Sequence, residues 1–136
     1  MKVLFVCKWN MGRSQMAEEL FNLYSKRNIG ISAGTNTIPF SQQRLCDVAP
    51  LTVRVLEDKN IDVSFKNPIL LTKELVDSAD KVIVLTDRAD VPECLLDLDK
   101  NKYWNVEDGD GKDYAYHIQM REQIDKLVKE LVREIG

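Results

Sequence analysis

Apolar and polar positions follow two different periods along the chain. Residues 3–6 form the continuous apolar run Val-Leu-Phe-Val, and residues 81–86 repeat it around Val82, Ile83, Val84 and Leu85. Unbroken runs of this length predict strands buried on both faces. After the first run, Met16, Leu20 and Tyr24 recur at helical spacing with Ala17 and Phe21 beside them, which predicts an amphipathic helix fading near residues 26–28. Residues 30–33 read as a short strand stopped by Gly34, and residues 35–41, rich in turn formers, as a loop. A helix is expected from about Val48, with Pro50 in its first turn and Val48, Leu51, Val55 and Leu56 toward the core. Residues 61–65 alternate apolar and polar, the pattern of a strand or an extended link. Residues 72–79 predict a short helix with Thr72 as N-cap, and residues 87–99 a short helix or turns around Pro92. A fourth strand is expected at 103–106 and a loop at 107–113. The closing helix carries Ile124, Leu127, Val128, Leu131, Val132 and Ile135 on one face. Strands alternating with helices predict an α/β fold, a parallel sheet covered on both sides.

Composition narrows the function classes. The 136 residues suit one domain, 1–136, with a core between sheet and helices. A formal charge of −3 and scattered Lys and Arg argue against nucleic acid as the main partner. No apolar run approaches membrane-spanning length, and the N-terminal run is too short for a signal segment, so a cytoplasmic protein with no membrane partner is expected. The cysteines stand at 7, 46 and 94 and the single histidine at 117, with no metal-ligand spacing. Neither a metal site, a cofactor nor a disulfide framework is expected.

The chemistry gathers at Cys7-Lys8-Trp9-Asn10-Met11-Gly12-Arg13-Ser14. Cys7 ends a predicted strand, Arg13 and Ser14 open a predicted helix, and five residues bridge them. Such a loop turns backbone N–H groups inward at a helix N-terminus and makes a socket for an oxyanion. A thiolate there is a nucleophile favoured by the helix end and by Arg13; the alternative is an inert cysteine at a buried strand end. Arg13 would grip two phosphate oxygens with its planar fork, and a helix start is otherwise a poor place for a cation. Ser14 caps the helix or serves the cysteine. Asn10 braces the loop, since asparagine tolerates left-handed backbone. Trp9 either stacks on a phenolic ester or packs under the loop, and Lys8 either adds positive potential at the rim or is solvated.

Cys-x5-Arg-Ser directly after an apolar N-terminal strand resembles the phosphate-binding loop of the low-molecular-weight protein tyrosine phosphatases, shared with the thioredoxin-coupled arsenate reductases. Asn10, the helix opening at residues 14–18, Ser32-Ala33-Gly34-Thr35, Ser78-Ala79-Asp80 and Asp108 beyond Tyr103-Trp104 extend the resemblance along nearly the whole chain. It implies a three-layer α/β/α fold with four parallel strands in the order 2-1-3-4, which puts the loop at a topological switch point. It further implies that Cys7 attacks phosphorus to form a phosphocysteine and that Lys8, Trp9, Asn10, Met11, Gly12, Arg13 and Ser14 bind phosphate. Ser14 would donate its hydroxyl to the Cys7 sulfur, Asp108 would be the general acid, and Tyr114 and Tyr116 would line the pocket. Glu107, Asp110 and Asp113 compete with Asp108, because the chain has Asp108-Gly109 where the family has Asp-Pro. The expected substrates are phosphotyrosine proteins or small aryl phosphate monoesters, with phosphate, vanadate and arsenate as inorganic ligands. The alternatives are an arsenate reductase and a phosphate-binding regulatory module with weak turnover. The relay cysteines of the reductases are incompletely matched: position 12 is Gly12, position 86 is Thr86, and Cys94 lies near the second relay site.

Overall fold

A computed structural model describes residues 1–40, 42–95 and 98–136; the side chain of Cys94, one expected relay thiol, lies outside the described residues, as does Ser41 in the expected 35–41 loop. The elements are β1 (Lys2–Cys7), α1 (Arg13–Tyr24), β2 (Ile29–Gly34), α2 (Leu45–Val48), α3 (Pro50–Glu57), α4 (Lys73–Ser78), β3 (Lys81–Val84), β4 (Asn101–Tyr103) and α5 (Tyr114–Ile135), with short 3-10 turns at Ile38–Phe40, Arg88–Asp90 and Glu93–Leu95. The sheet is four-stranded and parallel in the order β2-β1-β3-β4, as the resemblance implied.

Strand parity sorts the core. In β1 the odd residues Val3, Phe5 and Cys7 share one cluster with Ile83, α1, α3 and α5, while Leu4 and Val6 join Val82, Val84 and Val76 of α4 on the other face. Both faces are covered, which is why the run lacks polar alternation. Phe5 lies 5.6 Å from Phe21 and 5.9 Å from Trp104, centroid to centroid, so one side chain ties α1 and the exit of β4 to the central strand. Burying an aromatic of this size contributes about 1.5–3 kcal/mol. Because Cys7 has the parity of Phe5, its sulfur emerges on the α1 side, at the carboxyl end of the strand.

Three expected boundaries move, each for a local reason. The helix expected from Val48 is two helices, because Ala49 before Pro50 takes φ −141° and ψ 56° instead of the helical conformation disfavoured before proline. Val55 and Leu56 reach the core together with Val53, whereas Val48 and Leu51 stand half-buried at the break. The fourth strand lies at Asn101–Tyr103 rather than 103–106. Trp104 N still donates to Val84 O at 2.9 Å, but Val106 N turns back to Trp104 O at 3.1 Å and ends the ladder. Residues 61–65 form no strand: Ser64 N and Oγ both donate to Asp62 Oδ1, at 2.9 and 2.6 Å, and these bonds hold the Asp62 carboxyl below its usual value. Thr72 caps α4 as expected, its Oγ1 accepting from Leu75 N at 3.2 Å. Among the described residues no helix is long and apolar enough to cross a membrane.

Candidate active site

The loop from Cys7 to Gly12 is held by its own carbonyls. Thr35 N donates to Cys7 O at 2.9 Å, Asn36 N to Lys8 O at 2.8 Å, and Met16 N to Gly12 O at 2.9 Å. The Gln15 amide donates to Asn10 O at 3.2 Å. Among the described residues no hydrogen bond uses the backbone N–H of residues 9–14, and the N-cap of α1, Gly12, offers no side-chain acceptor. Four donors at a helix start need partners, and an anion supplies them. The capping role open to Ser14 is therefore not taken; its hydroxyl goes to the cysteine.

The asparagine behind the loop decides which serine protons are free to be given. Asn10 is fully buried with φ 55°, the left-handed conformation expected of a brace. Its Oδ1 accepts from Ile69 N at 2.8 Å and from Gln15 Nε2 at 3.1 Å, which fixes the amide orientation. Its Nδ2 then donates to Ser14 Oγ at 2.7 Å and to Ser32 Oγ at 3.0 Å. Each serine accepts from Asn10, so each has its own proton left to give. Ser32 gives it to Glu18 Oε1 at 3.0 Å, and Ser14 Oγ, its proton free to be given, lies 2.9 Å from Cys7 Sγ. The relay ends on Lys66, which pairs with Glu18 and, at 2.8 Å, with Glu19. Burial raises the Glu18 carboxyl above the ordinary carboxylate value in spite of the Lys66 ammonium.

Arg13 is 7 % exposed and anchored at one edge, Nη1 donating to Leu85 O at 2.6 Å and to Val106 O at 3.0 Å. The turn that ends β4 thus supplies one of the two carbonyls that hold the arginine. The Asp108 carboxylate stands 3.8 Å from Nη2. Of the four loop carboxylates, Asp108 and Asp110 line the cavity, while Glu107 accepts from Tyr116 OH and Asp113 caps α5 by accepting from Tyr116 N at 2.9 Å. Of the two cavity carboxylates, Asp108 is the one beside Arg13.

The cavity over the cysteine measures about 280 Å3. Its floor is Cys7, Met11, Gly12 and Arg13, its far side the Asp108–Lys112 loop with His117 and Met120, and its third side the α2–α3 break, residues 48–52. Trp9 and Phe40 make the aromatic wall, edge to face at 5.7 Å and 83°. Lys8 lies over the Trp9 ring, its Nζ 4.9 Å from the centroid. Asn10 and Ser14 stand behind the loop and brace it. Tyr114 and Tyr116 are outside the cavity lining: Tyr114 OH donates to Asp58 beneath Arg54, and Tyr116 OH to Glu107 at 3.1 Å. Phe40, Lys66 and His117 carry no motif signal of their own, and Glu18 is marked only as the end of the helix opening at residues 14–18. Only the quoted Ser32-Ala33-Gly34-Thr35 stretch pointed toward Ser32.

The chain is 28% identical to the "Glutaredoxin arsenate reductase" of Synechocystis, over 99% of its own length and 98% of that protein. Its fold matches that of a low molecular weight protein tyrosine phosphatase from T. tengcongensis at 26% identity and a TM-score of 0.81, covering 99% of each chain. An arsenate reductase solved in its phosphate binding state matches at 28% identity and a TM-score of 0.80, over 99% of this chain and 98% of that one. The family model "Low molecular weight phosphotyrosine protein phosphatase" matches residues 2–136. The chain belongs to the low molecular weight phosphotyrosine protein phosphatase family.

Proposed function

We propose that this protein is a cysteine-dependent phosphatase hydrolysing phosphotyrosine or small aryl phosphate monoesters. The observation that carries the reading is the cavity itself, with a thiol and an arginine on its floor, a carboxylate beside them and the Trp9–Phe40 wall flanking the opening. A phenolic ester fits against aromatic side chains while its phosphoryl group meets the uncapped start of α1.

The reaction runs in two displacements. The Cys7 thiolate attacks phosphorus and the P–O bond to the phenol breaks. Asp108 delivers its proton to the departing oxygen. Ser14, donating to sulfur, favours the thiolate before attack and again as it leaves. Arg13, anchored through Nη1, keeps Nε and Nη2 for the phosphoryl oxygens and holds them as charge shifts. The Asp108 carboxylate then takes a proton from water, the resulting hydroxide attacks the phosphocysteine, and phosphate leaves as the thiolate is restored.

Arsenate reduction is the second reading, favoured by the name of the Synechocystis relative. It needs two electrons per turnover from thiols. Cys7 is the one cysteine among the described residues that line the cavity, and Cys46 is exposed on α2. Electrons would come through Cys94, whose side chain lies outside the described residues, or from an external thiol. Parallel assays of aryl phosphate hydrolysis and of thiol-dependent arsenate reduction, with Cys7→Ala as control, separate the two. The phosphatase reading expects efficient hydrolysis abolished by Cys7→Ala. Fast arsenate reduction with negligible hydrolysis would make the protein a reductase.

A further inference from the structure

His117 is the single histidine of the chain, 8 % exposed, in the first turn of α5 and on the cavity wall. Its Nδ1 lies 2.8 Å from Asp113 O. A carbonyl only accepts, so Nδ1 carries a proton and donates it to Asp113 O. Asp113 is itself the N-cap of α5, so the ring is tied to a fixed point. A Cβ built on Gly109 would lie 2.9 Å from Nε2, 3.2 Å from Cε1 and 3.1 Å from Met120 Cε. Gly109 is not among the residues with positive φ, so this glycine is required for space and not for backbone freedom. The Met120 methyl ends a flexible side chain and can move aside; the anchored imidazole cannot.

We propose that His117 is a positioning residue for the acid loop, its imidazole filling the place of a side chain at position 109 and so setting where Asp108 stands over Cys7. The proposal rests on the phosphatase reading, in which Asp108 is the proton donor. It also gives the physical reason for Asp108-Gly109 where the resemblance leads one to expect Asp-Pro: the Cβ of proline would strike the ring. Positions 109 and 117 form a matched pair, so a change at either one displaces the loop and a compensating change at the other restores it.

The test compares wild type, His117→Ala, Gly109→Ala and the double variant on phenyl phosphate, whose leaving group needs a proton, and on dinitrophenyl phosphate, whose leaving group does not. Vanadate inhibition reports the loop beneath. A general acid contributes about 10²–10⁴ in rate, so each single change should lower kcat on phenyl phosphate by about tenfold or more. Vanadate inhibition and the first-turnover burst of dinitrophenol should move by less than about threefold, because they call neither on the acid nor on the Asp108 base step that follows. The double variant should regain most of the loss, since the alanine methyl occupies the vacated space. Should His117→Ala fold poorly, Gly109→Ala alone still reads the leaving-group selectivity. Equal losses in the dinitrophenol burst and in phenyl phosphate turnover, no loss in either, or a double variant no better than the worse single one would overturn the proposal. A wild-type protein inert toward dinitrophenyl phosphate would remove the phosphatase reading, and the proposal with it.

Discussion

Gly34→Ala is the sharpest single perturbation of the phosphate loop. Gly34 ends β2 in register with Cys7, and a methyl there would lie 2.8 Å from Asn10 N, Lys8 O and Thr37 Cγ2. Ordinary contact begins at 3.4 Å, so the obstacles have to withdraw by about 0.6 Å. Two of the three are loop backbone, and Lys8 O is already bound to Asn36 N. The glycine cannot retreat the other way, because its N–H donates to Ile69 O at 2.8 Å and its carbonyl accepts from Leu71 N at 2.9 Å. Overpacking of this kind costs about 1–3 kcal/mol. The larger effect is on chemistry, since a misplacement approaching 1 Å costs about 10²-fold in rate. Urea unfolding should show a folded protein destabilised within that range. Phosphate affinity should fall by about tenfold and aryl phosphate turnover by about 10²-fold. Wild-type phosphate binding and turnover in Gly34→Ala would refute the claim that β2 sets the shape of the loop.

Arg13→Lys should weaken vanadate binding and lower kcat together, by about 10²-fold or more, because lysine reproduces neither the two carbonyl anchors nor the bidentate grip; inhibition and rate measured on one preparation check it. Asp108→Asn should lower turnover most for leaving groups of high pKa, while Asp110→Asn should leave that dependence intact; the reverse pattern moves the acid two residues along the loop. Tyr24→Phe removes the donor that Asp125 receives from α1, at a cost of about 1 kcal/mol in urea unfolding at neutral pH. Burial and the Asp125 contact push the Tyr24 phenol up to about 12. Burial works against the Asp125 carboxylate, yet the bonds from Tyr24 and Lys129 hold it below its usual value. Its stabilisation is therefore present above the ordinary carboxylate value and lost as pH falls through the lowered one, so Tyr24→Phe should flatten the stability curve below about pH 4.

The sheet and the loop were legible in the sequence because their signals are local. An unbroken apolar run can only be a doubly covered strand here, and Cys7, Arg13 and Ser14 fall within one strand–loop–helix unit. Asn10 was readable as a brace because its residue type fits the φ it adopts. Elements whose shape depends on distant partners were not legible. Trp104 and Val106 have strand-forming side chains, but the chain bends there and delivers Val106 O to Arg13, ninety-three residues away in sequence. Residues 61–65 alternate like a strand yet find no strand to pair with, and the Asp62–Ser64 turn takes over. The Glu18–Lys66 pair and the Gly109–His117 fit join residues far apart along the chain, and no periodicity records such contacts. Tyr114 and Tyr116 show the limit of a resemblance: the residue types match, but Asp58 and Glu107 bind their hydroxyls away from the cavity.

The central claim is that Cys7 carries the phosphoryl group between substrate and water. The most direct measurement mixes the protein with dinitrophenyl phosphate, quenches it in acid within the first turnover, and locates phosphate by peptide mass spectrometry, using Asp108→Asn to slow breakdown of the intermediate. The account predicts phosphate on the peptide bearing Cys7, appearing in step with release of the phenol, and neither phosphate nor phenol in Cys7→Ala. Phenol released at the wild-type rate by Cys7→Ala, or turnover with Cys7 unmodified throughout, would contradict it.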